Sequence, residues 1–210
     1  MMEDFDVEAY FWKEKETILR NRTKIIINGD KDNCIGVVVM LNPGSCLPKE
    51  GEKVITNEKQ SFPCDIGNDI TIKRILECVR LVYNDKKLGY IFIVNLSDIR
   101  KPKSEELTEE NLHKKPEDIV KEIESKINEQ NNIKWIWIAF GKDENGKDRE
   151  TRLKLKKIKE KVKNQLNIFY PDKIIGKSVE YKHPYQIKEH ETYKQKVVKE
   201  LRDFCTHVKP

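Results

Sequence analysis

Three short, almost uninterrupted apolar runs constrain this chain more than any other feature. Residues 35–41, 90–96 and 133–140 are dense in β-branched and aromatic side chains and are bounded by turn formers, the pattern of buried strands. Their apolarity is continuous rather than alternating, which predicts helices on both faces of a largely parallel sheet. A shorter run at 24–28 precedes Gly29-Asp30 and is expected to hairpin onto the first of the three. Weaker strand candidates lie at 167–170 and 177–181.

Helical patterns separate these runs. From Thr71 onward, Ile72, Ile75, Leu76, Val79 and Val82 fall on one helical face. Pro116-Glu-Asp opens a second helix, with proline in the first turn and acids at the positive end of the dipole; its stripe is Ile119, Val120, Ile123 and Ile127. Further helices are predicted over 147–164, 190–207 and, at the start of the chain, 7–19. The alternation implies a three-layer α/β/α fold around a mainly parallel sheet. It reads as one domain over 1–210: an N-terminal helix and hairpin to 34, a core over 35–185 and a C-terminal helix over 186–210. The stretch 42–68 is too long for an idle connection and reads as a lid or binding loop.

Charged residues make up 37% of the chain, but they cluster between the apolar runs, which points to a folded domain with a well-solvated surface rather than disorder. A net charge of +5 permits contact with phosphates without requiring it. The N-terminus carries acids where a secretory leader would carry bases, and no run approaches the roughly 18 apolar residues of a membrane span. Five cysteines without CxxC spacing read as reduced thiols, so a cytoplasmic location is expected. No spacing suggests a metal or iron–sulfur site, and no P-loop, dinucleotide fingerprint or nucleophile elbow is present, so no cofactor is expected.

In parallel α/β sheets, ligands bind outside the carboxyl ends of the strands. Those ends carry Asn42-Pro43-Gly44-Ser45, then Asn95-Leu96-Ser97-Asp98, then Gly141-Lys142-Asp143; His183-Pro184-Tyr185 follows the last strand candidate. Each piece also has a plain structural reading. Asn42-Pro43-Gly44 is a common turn, Asn95 could satisfy local backbone, and His183 could be a surface histidine. Asp69 is well placed to cap the helix that follows, while Arg74, one turn in, is well placed to contact a phosphate or a carboxylate. Their recurrence at matching strand ends favours a shared pocket. Residues 142–164 hold ten Lys/Arg against five Asp/Glu; this run is either a phosphate-tracking surface or a solvated helix face with Leu153, Leu155, Ile158 and Val162 turned inward.

The ordered motifs LNPG, NLSDIRKP, WIAFG and HP resemble those of the uracil-DNA glycosylase superfamily, and Asn42-Pro43-Gly44 is similar to the motif of its mismatch-specific branch. The chain resembles still more a bacterial family, domain of unknown function sixteen-forty-three. Its motifs are matched by Asn42-Pro43, by Asp69, Thr71 and Arg74, and by Asn95-Leu96, Phe140-Gly141 and His183-Pro184, over about residues 35–185. The glycosylase resemblance implies that Asn42 positions a water, Asn95 reads a base edge and His183 stabilises charge on the departing base. Tyr185 stands where those enzymes usually carry serine; Phe62 and Tyr185 are the candidates for stacking on a base. The expected function is therefore recognition of a nucleobase, nucleotide or nucleic acid, with hydrolysis of an N-glycosidic bond by Asn42 and His183. The alternatives are a non-catalytic recognition module, such as one in phage defence, and a protein-interaction domain.

Overall fold

The computed structural model describes residues 5–67, 69–83, 89–100, 106–129, 133–141, 146–170, 174–175, 184 and 191–206. The strands are β1 (Phe5–Glu14), β2 (Thr17–Ile27), β3 (Cys34–Met40), β4 (Leu47–Pro48), β5 (Gln60–Asp65), β6 (Gly89–Asn95), β7 (Trp135–Ile138) and β8 (Ile174–Ile175). The helices are α1 (Ile70–Tyr83), α2 (Pro116–Glu129), α3 (Arg149–Phe169) and α4 (Glu191–Thr206). All eight strands form one sheet in the order β4-β5-β1-β2-β6-β3-β7-β8.

The sheet is mixed, which corrects the expectation of a mainly parallel one. Three pairings, β6–β3, β3–β7 and β7–β8, are parallel, whereas β4–β5, β5–β1, β1–β2 and β2–β6 are antiparallel. The parallel half contains the three apolar runs of the sequence. Every residue of β3, β6 and β7 is buried, because helices cover both faces. Ile72, Ile75, Val79, Val197 and Leu201 of α1 and α4 pack on one face, here called inner, with Ile91, Ile93, Val38 and Trp137. Ile119, Ile123, Leu155 and Val162 of α2 and α3 pack on the outer face with Phe92, Val94, Val37 and Ile136. Gly36 is required in this layer: a Cβ there would lie 2.3 Å from the Trp135 ring.

The antiparallel half differs most from the sequence reading. Residues 7–19 are not a helix; they form the β1–β2 hairpin, turning at Lys15, whose φ is 56°. Val7 and Phe11, four apart, satisfy helical and strand spacing equally, and pairing with β2 and β5 selects the strand. Val7, Ala9 and Phe11 then face inward while Glu8, Tyr10 and Trp12 face outward. The run at 24–28 does not hairpin onto β3; it pairs with β1 and β6, and β6 lies between β2 and β3. Nor is 42–68 an irregular lid, since β4 and β5 extend the sheet edge beyond β1.

Smaller differences follow. Residues 167–169 continue α3 rather than forming a strand, 177–181 lie outside the described residues, and the unpredicted β8 pairs with β7. Leu153 is 51% exposed rather than turned inward, while Leu155, Ile158 and Val162 are buried as expected. Among the described residues no helix is long and apolar enough to cross a membrane.

Candidate functional site at the carboxyl ends of β3 and β6

Strand order brings the predicted strand ends together. β3 lies between β6 and β7, and past its end the ladder continues: Leu96 N donates to Met40 O (2.9 Å), Ser97 N to Leu41 O (3.0 Å) and Ala139 N to Val39 O (2.8 Å). The chain leaving β3 reaches α1 on the inner face, whereas the chains leaving β6 and β7 reach α2 and α3 on the outer face. Such a reversal opens a crevice at the strand ends. Asn42, half-buried, stands just past the end of β3.

Alternation places Asn95 on the inner face with Ile91 and Ile93, while Asn42 lies in the bend two residues beyond Met40, the last residue of β3. Asn95 is 1% exposed, yet neither Nδ2 nor Oδ1 has a hydrogen-bond partner among the described residues. On the adjoining β2, Thr23 Oγ1, opposite Ile93, and Arg20 Nε are buried and unpartnered in the same sense. Each buried polar group left unsatisfied costs about 1–3 kcal/mol. Their concentration on neighbouring strands is what a site built for a polar ligand looks like.

The loop after β3 is held from below by two arginines. Arg20, 3% exposed, donates to Pro43 O and to Cys46 O (3.4 Å). Arg100 donates through Nε to the carbonyls of Ser45 and Cys46, both at 3.1 Å. Gly44 turns the loop with a φ of 71°, a conformation that favours glycine. Cys46 is held below its ordinary thiol pKa by a hydrogen bond with Cys64 and, against burial, by the Arg20 charge.

Behind Asn95 lies an ion cluster on the outer side. Lys114 Nζ meets Asp98 Oδ1 at 2.8 Å, Glu122 Oε2 at 3.2 Å and the Asn95 carbonyl at 3.2 Å; Asn21 Nδ2 donates to Asp98 Oδ2 at 3.1 Å. Burial, the largest influence, works against the Lys114 charge, but Glu122 and Asp98 together keep its pKa raised. Asp98 is thus committed to structure, and it ties β2, β6 and α2 together.

The remaining predicted residues occupy varied settings. Ser97 is fully buried; its hydroxyl donates to Asn111 O (2.8 Å) and accepts from Ile99 N (3.3 Å), which shapes the connection to α2. Asp69 caps α1, accepting from Ile72 N at 3.1 Å. Arg74 pairs with Glu77, which also binds Lys194 of α4. The carbonyl of Gly141 accepts from Lys159 (3.4 Å). Phe62 packs edge-on against Phe11, ring centroids 6.3 Å apart. His183 and Tyr185 lie outside the described residues; Pro184 between them is buried. Arg20, Arg100, Thr23 and Lys114 were not anticipated. A charged residue at the inward position of a strand was the available signal for Arg20.

The fold defines an α/β protein with a single mixed sheet whose connections reverse direction at the carboxyl ends of β3 and β6. Residues 64–185 match the model of the family described as Protein of unknown function (DUF1643), more than half the chain, and the protein belongs to that family. No curated protein and no solved structure matches it.

Proposed function

We propose that the crevice binds a nucleobase, free or within a nucleotide or nucleic acid, and that Asn95 reads its edge. The observation that carries this reading is the buried Asn95 amide, with donor and acceptor both unspent among the described residues. A carboxamide offers one group of each kind side by side, the complement of a base edge, which also presents them side by side. Asn42, just past the end of β3, orients a water toward the glycosidic carbon in the glycosylase-like version of this reading. His183 then stabilises the departing base. That version carries with it a three-layer, glycosylase-like ancestry of the parallel half.

A recognition module without turnover is the second reading, and one observation favours it. Asp98 is committed to Lys114 and Asn21, and Asp69 caps α1. An amide such as Asn42 can hold a water but cannot take its proton.

Two measurements test these readings. Calorimetric titration with uracil, thymine, cytosine and hypoxanthine nucleosides should find a ligand that Asn95→Asp weakens at least tenfold, because the donor is lost while the shape is kept. An alkali-developed abasic-site assay on oligonucleotides carrying uracil, mismatched thymine and hypoxanthine should show cleavage that Asn42→Ala abolishes. Binding without cleavage selects the recognition module. If the folded wild-type protein neither binds nor cleaves, both readings fall.

A further inference from the structure

The outer face of the antiparallel half carries chemistry that the crevice does not use. α2 and α3 cover this face over the parallel strands, but from β1, β2 and β5 the core beneath them takes only Ile26. On the part left bare of helices, Tyr10 and Trp12 project outward from β1. Two cations rest on aromatic rings there, Arg22 on Tyr10 (5.9 Å) and Lys59 on Trp12 (4.4 Å). Beside them Lys24 lies over the ring of Tyr90 (4.5 Å), which is itself buried in the outer-face core.

None of these three cations forms an ion pair among the described residues. The acids of β1 are already engaged: Asp6 with Lys49, Glu8 with Lys31, and Glu14 by the Trp12 indole at 2.9 Å. The bare face therefore presents cations over the Tyr10 and Trp12 rings without a contact ion pair. The carboxylates that act on them, Asp98 and Glu122 on Lys59 and Glu129 on Arg22, lie beyond ion-pair distance. Burial, and after it the charge of Arg22, depress the pKa of Lys59, outweighing the opposing pull of Asp98 and Glu122.

We propose that this face is a platform for single-stranded nucleic acid. Phosphates would draw Arg22 and Lys59 off the rings, and the freed faces of Tyr10 and Trp12 would stack bases. Spacing selects the single strand. Tyr10 and Trp12, two residues apart on one strand, stand about 6.8 Å apart, against roughly 3.4 Å between stacked bases along one strand of B-form DNA. Bases must be splayed to meet both rings, as single strands allow and duplexes do not. The platform is separate from the crevice, and either can exist without the other.

The test is anisotropy and tryptophan fluorescence with a labelled mixed-sequence 12-nucleotide single strand and its duplex, over a range of salt. Trp135 and Trp137 are buried, so quenching on binding reports Trp12. The single strand should bind more tightly than the duplex. Tyr10→Ala with Trp12→Ala should weaken binding by roughly tenfold or more. Arg22→Gln, Lys24→Gln and Lys59→Gln combined should lower the slope of log affinity against log salt by about 2. The aromatic variants should leave nucleoside binding at the crevice unchanged, so failure of the platform and failure of the Asn95 reading are told apart. The proposal is overturned if the wild-type protein does not bind the strand, or binds it with both variant sets unaffected. It is equally overturned if sedimentation shows that the face is occupied by a second copy, in a self-association lost on Trp12→Ala.

Discussion

The two halves of the sheet solve the same burial problem differently. In the parallel half, β3, β6 and β7 are buried on both faces under two pairs of helices. In the antiparallel half, β1 buries Val7, Ala9 and Phe11 and leaves Tyr10 and Trp12 at the surface. The first half is therefore insensitive to solvent and tolerant of little change, while the second has a free side available for contact. The candidate crevice lies where they meet, with Asn42 and Asn95 supplied by the parallel strands and Arg20 and Thr23 by β2.

The sharpest way to break this contrast is to truncate matching outward positions. Ile136→Ala, fully buried beneath α2 and α3, should cost about 2–5 kcal/mol in urea unfolding. Tyr10→Ala on the bare face should cost well under half as much. Equal costs would mean that the antiparallel half is covered after all.

The seam between the halves comes next. Lys114→Met strands the buried Asp98 and the half-buried Glu122 without their cation, and removing one partner of a buried pair costs about 3–5 kcal/mol. With Lys114 side-chain exposure at 13%, the lower end of that range is expected. A loss confined to the parallel half, seen as unchanged amide-exchange protection in β2, would argue that the cluster does not join the two.

The smallest effect concerns Glu77 of α1, which pairs with Arg74 of the same helix and with Lys194 of α4. Burial raises the Glu77 carboxyl, but Lys194 and Arg74 outweigh it and leave its pKa below the ordinary value. A carboxyl depressed in the folded state stabilises above its unfolded pKa, about 4.3, and loses that contribution as pH falls through the folded value. Glu77 is one-third exposed, so Glu77→Gln should cost no more than about 1 kcal/mol at pH 7. The difference from wild type should fade below about pH 4. A difference independent of pH would assign the effect to packing rather than charge.

How far the sequence foretold all this follows the same division. The runs that became β3, β6 and β7 were legible because burial on both faces leaves little except β-branched and aromatic residues. The four described helices lie close to their predicted positions because their stripes and caps are local, Asp69 and Pro116 among them. β1 was missed because Val7 and Phe11 fit both periods, and β5 because Gln60, Ser61 and Pro63 give it a loop-like composition. The strand-end asparagines stood out as polar residues closing apolar runs. Arg20 and Thr23 did not, since their place beside Asn95 depends on β2 pairing with β6, more than sixty residues later in the chain.

That pairing has a consequence for how the molecule is made. β2 and β3 follow one another in sequence, yet β6 lies between them in the sheet. A chain emerging from the ribosome thus presents two hydrophobic strands, each with an open edge, that must stay apart until residues 89–95 arrive to fill the gap. Pairing β2 directly with β3 in the meantime would be a local, quickly formed trap, and open edges of this kind invite contact with other chains. Refolding of the full-length protein is therefore expected to be slower and more concentration-sensitive than its size alone suggests, with insertion of the sixth strand as the committing step.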